Sequence, residues 1–334
     1  INVNKAIQQY GMPETWNISK ITDMSHLFDS EVLFKIANKK HYNKSVNPFE
    51  ICNSKYNFIT NWDVSNVITM TSMFEGCKVF NVNISNWVVS KVNNMKSMFK
   101  GCQLFNADIS RWNVQNVVTM TSMFEGCKNF NVDISQWDVS NVVTMTSMFE
   151  GCKNFNVDIS QWDVSNVNNM QSMFKGCQLF NAYINKWNVG LVENMNSMFE
   201  GCKRFNQILP AWNVGNVTDM SYMFKDCVNI ADIKIDLWNT SKVQYMERMF
   251  EGCKNFNSRL FWFTGKVQNM TRMFYNCASF EGKGLQYWEV INVHKMEGMF
   301  YNCKQLSPLV LNDWNLFNLK RPKISPYSYI SMLS

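Results

Sequence analysis

The sequence predicts an α/β solenoid of about twelve coils, each of roughly 25 residues, with a parallel sheet on one side and short helices on the other. Three observations carry this. Eleven of the twelve tryptophans recur at a near-constant step, which is 25 residues throughout from Trp62 to Trp212. The cysteines keep the same step from Cys77 to Cys227. Within each step the apolar residues switch from alternating to three- and four-residue spacing, as a strand followed by a helix would require.

One coil, Ile134–Phe155, shows the switch. Trp137 and Val139 lie two apart and face one side of a short strand, while Gln136, Asp138 and Ser140 face the other. Val142, Met145, Met148 and Phe149 then form the stripe of a short helix, with Ser140 or Asn141 as its N-cap. Gly151 and its equivalents (Gly76, Gly101, Gly126, Gly176, Gly201, Asp226, Gly252, Asn276 and Asn302) are residues that tolerate positive φ, so this column reads as a left-handed helix terminus. Cys152 and Phe155 re-enter the core. Asn156 follows, matched by Asn81, Asn106, Asn131, Asn181, Asn206 and Asn257, and reads as a buried ladder bonding coil to coil.

Along the chain, residues 1–15 read as an N-terminal cap and 16–314 as the repeat. An insertion falls within 30–57, and 315–334 form a C-terminal cap or tail. The first coil holds Trp16, Met24 and Phe28. The insertion carries Lys35, Lys39, Lys40, Lys44 and Lys55 and is expected to project from the stack; the tail holds Lys320, Arg321 and Lys323 with Pro322 and Pro326. Met120–Val142 and Met145–Val167 are identical, and Val92–Ala107 matches Val167–Ala182 except at Lys96 and Gln171. The array therefore grew by duplicating single coils and a three-coil block. After Cys227 the step loosens, and Trp262 slips one position toward its cysteine.

Apolar residues make up 46% of the 334, enough for a continuous core, and the net charge of +6 is too weak to imply nucleic acid. No run is long and apolar enough to insert into a membrane, and the chain as written shows no secretory signal. The eleven cysteines are an odd number at coil spacing, with no C-x-x-C pair, so a ladder of buried thiols is expected rather than pairwise bridges. Three histidines, His26, His41 and His294, cannot complete a recurrent metal site with them. No cofactor, metal or catalytic residue is expected: G-x-S-x-G, Walker and H-E-x-x-H motifs are all absent.

The run M-x-x-M-F-x-x-C-x-x-F-N-x-x-I-x-x-W-x-V-x-x-V, as in Met145–Val167, resembles the BspA-type surface-protein repeat, first noted in mollicute lipoproteins and distantly related to leucine-rich repeats. The resemblance covers Trp16 to Trp314. It implies a leucine-rich-repeat-like solenoid without enzymatic activity, commonly displayed on bacterial surfaces, with relatives in protists and large DNA viruses. It supplies no catalytic residues. The chain as written shows none of the family's lipoprotein, wall-sorting or transmembrane anchors.

Function then rests on exposed columns. The tryptophan ladder as a sugar platform, the Met and Phe columns as a groove, and the cysteines as a metal or redox array all yield to the simpler reading of core. Two outward strand columns are the candidate partner-binding face. The first holds Asn61, Asn86, Arg111, Gln136, Gln161 and Lys186 and ends on Ala211; the second holds Asp63, Asn113, Asp138, Asp163, Asn188 and Asn213, with Val88 between Asp63 and Asn113. Plain solvation explains a polar face equally well, and Asp63, Asp138 and Asp163 lack the further oxygen ligands that calcium needs. The expected function is a repeat scaffold mediating protein–protein interaction through strand face, insert or tail. Two alternatives stay open. One is a minor capsid or cement-type component of a large DNA virus particle, with a viral coat protein as partner. The other is a bacterial adhesion protein that meets a host surface protein.

Overall fold

The computed structural model describes residues 17–31, 57–311 and 314. The expected N-terminal cap, Trp16, most of the insertion and the C-terminal tail lie outside them. The chain divides into two units, Ile1–Asn166 and Val167–Ser334. Each is a stack of coils with the same internal plan.

The sheet is not where the alternation puts it. The Trp-x-Val segment forms no strand. Parallel bridges run instead through the position before the first methionine of each coil: Asp23, Thr69, Asn94, Thr119 and Thr144 in the first unit, and Asn169, Asn194, Asp219, Tyr245, Asn269 and Lys295 in the second. This is the segment expected to be helical. Among the described residues the only helical segments are Ser30–Glu31 and three short 3-10 turns, Asn57–Asn61, Leu285–Tyr287 and Pro308–Leu311.

Hydrogen bonding explains the misassignment. Alternate residues of the methionine segment donate to the next coil: Met70 N–H to Asn94 O (3.0 Å), Ser72 to Lys96 (2.8 Å), Phe74 to Met98 (2.9 Å) and Gly76 to Lys100 (2.7 Å). The residues between them close four-residue β-turns inside the coil, as Met73 N–H does on Met70 O and Glu75 on Ser72. Val142 on Val139 and Met148 on Met145 do the same. A chain of such turns brings every third or fourth side chain inward, so it prints the spacing of a helix without being one. Left-handed φ at Ser72 (52°) and its equivalents is what stops the segment from becoming either a regular helix or a regular strand.

The glycine column does adopt positive φ, from 73° to 78° in the six coils from Gly76 to Gly201, and Asp226, Asn276 and Asn302 follow at 58–63°. It ends the ladder rather than a helix.

The core is as expected. The inward columns of Trp, Ile or Leu, Val, Met, Phe and Cys are buried in every central coil, as at Ile134, Trp137, Val139, Val142, Met145, Met148, Phe149 and Cys152. From Trp87 onward the indole N–H donates to a carbonyl of the preceding coil in coil after coil, for example Trp137 to Ile109 O (3.1 Å) and Trp238 to Leu209 O (3.0 Å). Trp262 keeps this bond, to Ile235 O at 2.8 Å, so the one-residue slip is absorbed outside the core. A buried indole N–H left without an acceptor would cost about 1–3 kcal/mol, which ties one coil's register to the next. Phenylalanines stack in two files: Phe124 lies 4.0 Å from Phe130 in its own coil and 5.8 and 5.7 Å from Phe99 and Phe149 in the adjacent ones.

The thiol ladder also forms. Cys102, Cys127, Cys152, Cys177, Cys202, Cys227, Cys253, Cys277 and Cys303 are free. Cys127 Sγ donates to Phe99 O at 3.0 Å, and the bond recurs down each unit. Cys77 departs from the pattern: it is disulfide-bonded. Burial pushes the thiols upward, Cys303 least, to about 12. Thiolate is the reactive form, so alkylation of the native protein at pH 8 is expected to label Cys303 first among these nine, the others reacting only after denaturation. Mass mapping of the labelled peptides checks this.

The asparagine column bonds coil to coil but is not buried: Asn181 and Asn257 are half-buried and the others exposed. Asn106 N–H meets Asn81 Oδ1 at 2.8 Å, Asn131 meets Asn106 at 2.9 Å, and Asn206 meets Asn181 at 2.9 Å. The turn lies on the surface, where its amides need side-chain partners because no sheet supplies them.

Candidate protein-binding edge

The buried Trp and Val fix the geometry of the candidate columns. In Gln136-Trp137-Asp138-Val139, alternation puts the tryptophan and valine inside and their neighbours outside. All twelve candidate residues are exposed: Asn61, Asn86, Arg111, Gln136, Gln161 and Lys186 in one file, and Asp63, Asn113, Asp138, Asp163, Asn188 and Asn213 in the other. Because the segment is not a strand, this is a turn edge rather than a sheet face. Each unit carries its own stretch of it.

The second file has a local task. Asp63 Oδ1 accepts the Ser65 N–H (3.1 Å), Asn113 the Gln115 N–H (3.1 Å) and Asp138 the Ser140 N–H (3.1 Å). Asp163, Asn188 and Asn213 repeat this with Ser165, Gly190 and Gly215. These are Asx turns, which the short Asp and Asn side chains form readily. The Ser65 hydroxyl and N–H hold Asp63's carboxyl below the usual carboxylate range, and Ser165 does the same for Asp163. Their oxygens serve the fold first, and among the described residues no group of three His, Cys, Asp or Glu side chains gathers into a metal-binding cluster. Asn61 and Asp63 also line a cleft of about 320 Å³ with Asn17, Ile18, Ser19, Phe58 and Trp62.

The first file makes fewer demands on its side chains and changes character in the second unit. Aligned on their tryptophans, its later members are Ala211, Leu237, Phe261 and Tyr287, while Phe263 continues the second file. Leu237 is 84% exposed, Phe263 67% and Tyr287 66%. Phe261 lies 5.9 Å from Tyr287, the rings tilted by 52°. Sequence reasoning stopped these files at Ala211 and Asn213, where the step loosens. Counting from each tryptophan, instead of by 25, would have carried both files on.

A family model described as "Mycoplasma protein of unknown function, DUF285" matches residues 2–51, 43–159, 125–232 and 227–324. The chain belongs to this family. Its membership agrees with the resemblance to the mollicute lipoprotein-associated repeat. No curated protein matches the chain. Similar solved structures include a leucine-rich cell surface protein from Faecalibacterium prausnitzii, at 13% identity and a TM-score of 0.41, covering 73% of this chain and 76% of that one. A leucine-rich-repeat protein from Eubacterium ventriosum follows at 12% identity and a TM-score of 0.34, covering 65% and 76%. One from T. pallidum shows 17% identity and a TM-score of 0.27, covering 58% and 83%. No helix among the described residues is long and apolar enough to cross a membrane.

Proposed function

We propose that this DUF285 chain is a non-enzymatic repeat scaffold that binds a protein partner along the exposed edge beside its buried Trp–Val pairs. One observation carries the reading. Positions that earlier coils fill with Asn, Arg, Gln, Lys and Asp, Val88 and Ala211 apart, hold Leu237, Phe261, Phe263 and Tyr287 in the second unit, all exposed. Neither the coil fold nor solubility asks for apolar side chains there, since the same coil closes equally well around polar ones. Clustered exposed aromatics with a polar surround have the composition of a binding hot spot. The polar stretch through Arg111, Asp138 and Asp163 would then set partner choice more than affinity. The virus-particle and adhesion alternatives are not carried further, because the family match names no partner.

The test replaces Leu237, Phe263 and Tyr287 by Asn and reverses the charges of Arg111, Asp138 and Asp163 in a second variant. Partners captured by the native chain are identified and their affinities measured against both. With hot-spot residues contributing about 2 kcal/mol each, the apolar variant is expected to bind at least thirtyfold more weakly at unchanged circular dichroism. A partner held equally by the native chain and both variants would refute the edge.

A further inference from the structure

We infer that the second unit carries, on a different face from the Trp–Val edge, a binding stripe for a linear sulfated glycan. The stripe is built on the turn that follows each cysteine. Position by position this turn holds Gln178, Lys203, Val228, Lys254, Ala278 and Lys304, and Arg204 stands next to Lys203. Lys203, Arg204, Lys254 and Lys304 are all exposed. No carboxylate occurs in the column.

The backbone beneath is fixed, because the turn has its own ladder between coils. Arg204 N–H donates to Gln178 O at 3.2 Å and Ser279 N–H to Lys254 O at 3.1 Å. The basic side chains therefore project from set positions along one line. Two coil steps, marked by stacked phenylalanines 5.5 and 5.6 Å apart, separate Lys203 from Lys254. Two similar steps, 5.6 and 5.7 Å, separate Lys254 from Lys304.

Charge asymmetry makes the line more than a row of solvated lysines. The carboxylates flanking it are already occupied. On the ladder side Lys225 and Lys175 hold Glu200, at 3.0 and 3.3 Å, and Arg248 lies 3.6 Å from Glu251. On the other side Lys234 holds Asp232 and Lys283 holds Glu281. None of the four stripe cations has a carboxylate within ion-pair distance among the described residues. Four positive charges without a paired carboxylate, set between groups whose carboxylates are already engaged by other cations, give a local positive potential that the modest net charge of the whole chain conceals.

The neighbouring side chains select among polyanions. Asn206, Asn229, Asn255, Asn257 and Ser279 flank the basic residues, and Asn206 spends its Oδ1 on Ala231 N–H, with the Nδ2 amide remaining to donate. No aromatic residue occupies these positions, so unpaired bases would find no stacking platform. A sulfated sugar chain needs only cations and amide or hydroxyl donors.

Heparin is the probe, with single-stranded DNA of matched charge beside it, and binding is measured against salt. If the four cations displace counterions as they do on a flexible strand, the log–log slope is expected near roughly −3, an affinity loss of about fiftyfold between 50 and 200 mM salt. Changing Lys203, Arg204, Lys254 and Lys304 to Gln is expected to weaken heparin binding at least tenfold. The same change at Lys186, Lys242, Lys266 and Lys295 removes equal charge elsewhere and is expected to leave it within twofold. Absence of heparin binding at 50 mM salt, equal losses in the two variants, or tighter binding of the DNA would each overturn the assignment. Because the Leu237, Phe263 and Tyr287 variant keeps the stripe, its heparin affinity separates failure here from failure of the protein-binding edge.

Discussion

Phe124→Ala is expected to destabilise the first unit by about 3–5 kcal/mol, the range for truncating a large aromatic in a packed core. Phe124 is fully buried. Its ring contacts five others: Phe99 and Phe149 in the adjacent coils, Phe130 at 4.0 Å, Phe105 at 6.2 Å and Trp137 at 6.3 Å. Collapse around the cavity is opposed on both sides, because the backbone ladder ties the coil of Phe99 to that of Phe124, and the coil of Phe124 to that of Phe149. Phe99 N–H bonds Met123 O and Phe124 N–H bonds Met148 O, each at 2.9 Å. In a stack whose stability is a sum over coils and interfaces, the loss falls on two interfaces at once. Urea denaturation followed by tryptophan fluorescence is expected to show a lower midpoint, or an early separate phase. A change below about 1 kcal/mol would mean that the aromatic files are not the continuous core described above.

The interior was legible in the sequence because burial repeats. Trp137, Met145, Phe149 and Cys152 recur in register, and only an inward column keeps bulky apolar residues constant across so many coils. The local backbone was not legible for a physical reason. Successive β-turns and an α-helix place inward side chains at nearly the same spacing, so Val142, Met145, Met148 and Phe149 fit both. The deciding residue was Ser147, at φ 52°. Serine carries no reputation for the left-handed region, so its column passed as an ordinary polar position, whereas the glycines four residues on were recognised. Tyr222, Arg248 and Arg272 hold the same conformation in later coils, and Gly298 takes it in the last of these coils. The ladder, not side-chain preference, imposes that conformation. Of the binding edge, the exposed columns could be read, but their apolar continuation was lost with the period after Cys227.

Gly126→Val is expected to cost about 2–3 kcal/mol, while Gly126→Asn costs less than about 1 kcal/mol. The two side chains meet the same space. A Cβ at position 126 would lie 3.5 Å from Gly101 Cα, ordinary contact, so crowding does not separate them. Backbone conformation does. Gly126 sits at φ 76°, where a β-branched residue is strained and Asn is tolerated. Asn276 and Asn302 already occupy the equivalent position at 63° and 59°. The strain cannot relax by rotating φ, because Gly126 N–H donates to Glu150 O at 2.6 Å and closes the end of the ladder. Valine must either bear the strain or release that bond and fray the coil. Thermal unfolding of the two variants side by side measures the difference. Equal destabilisation by Val and Asn would show that the column is conserved in form for close packing of adjacent coils, not for its left-handed turn.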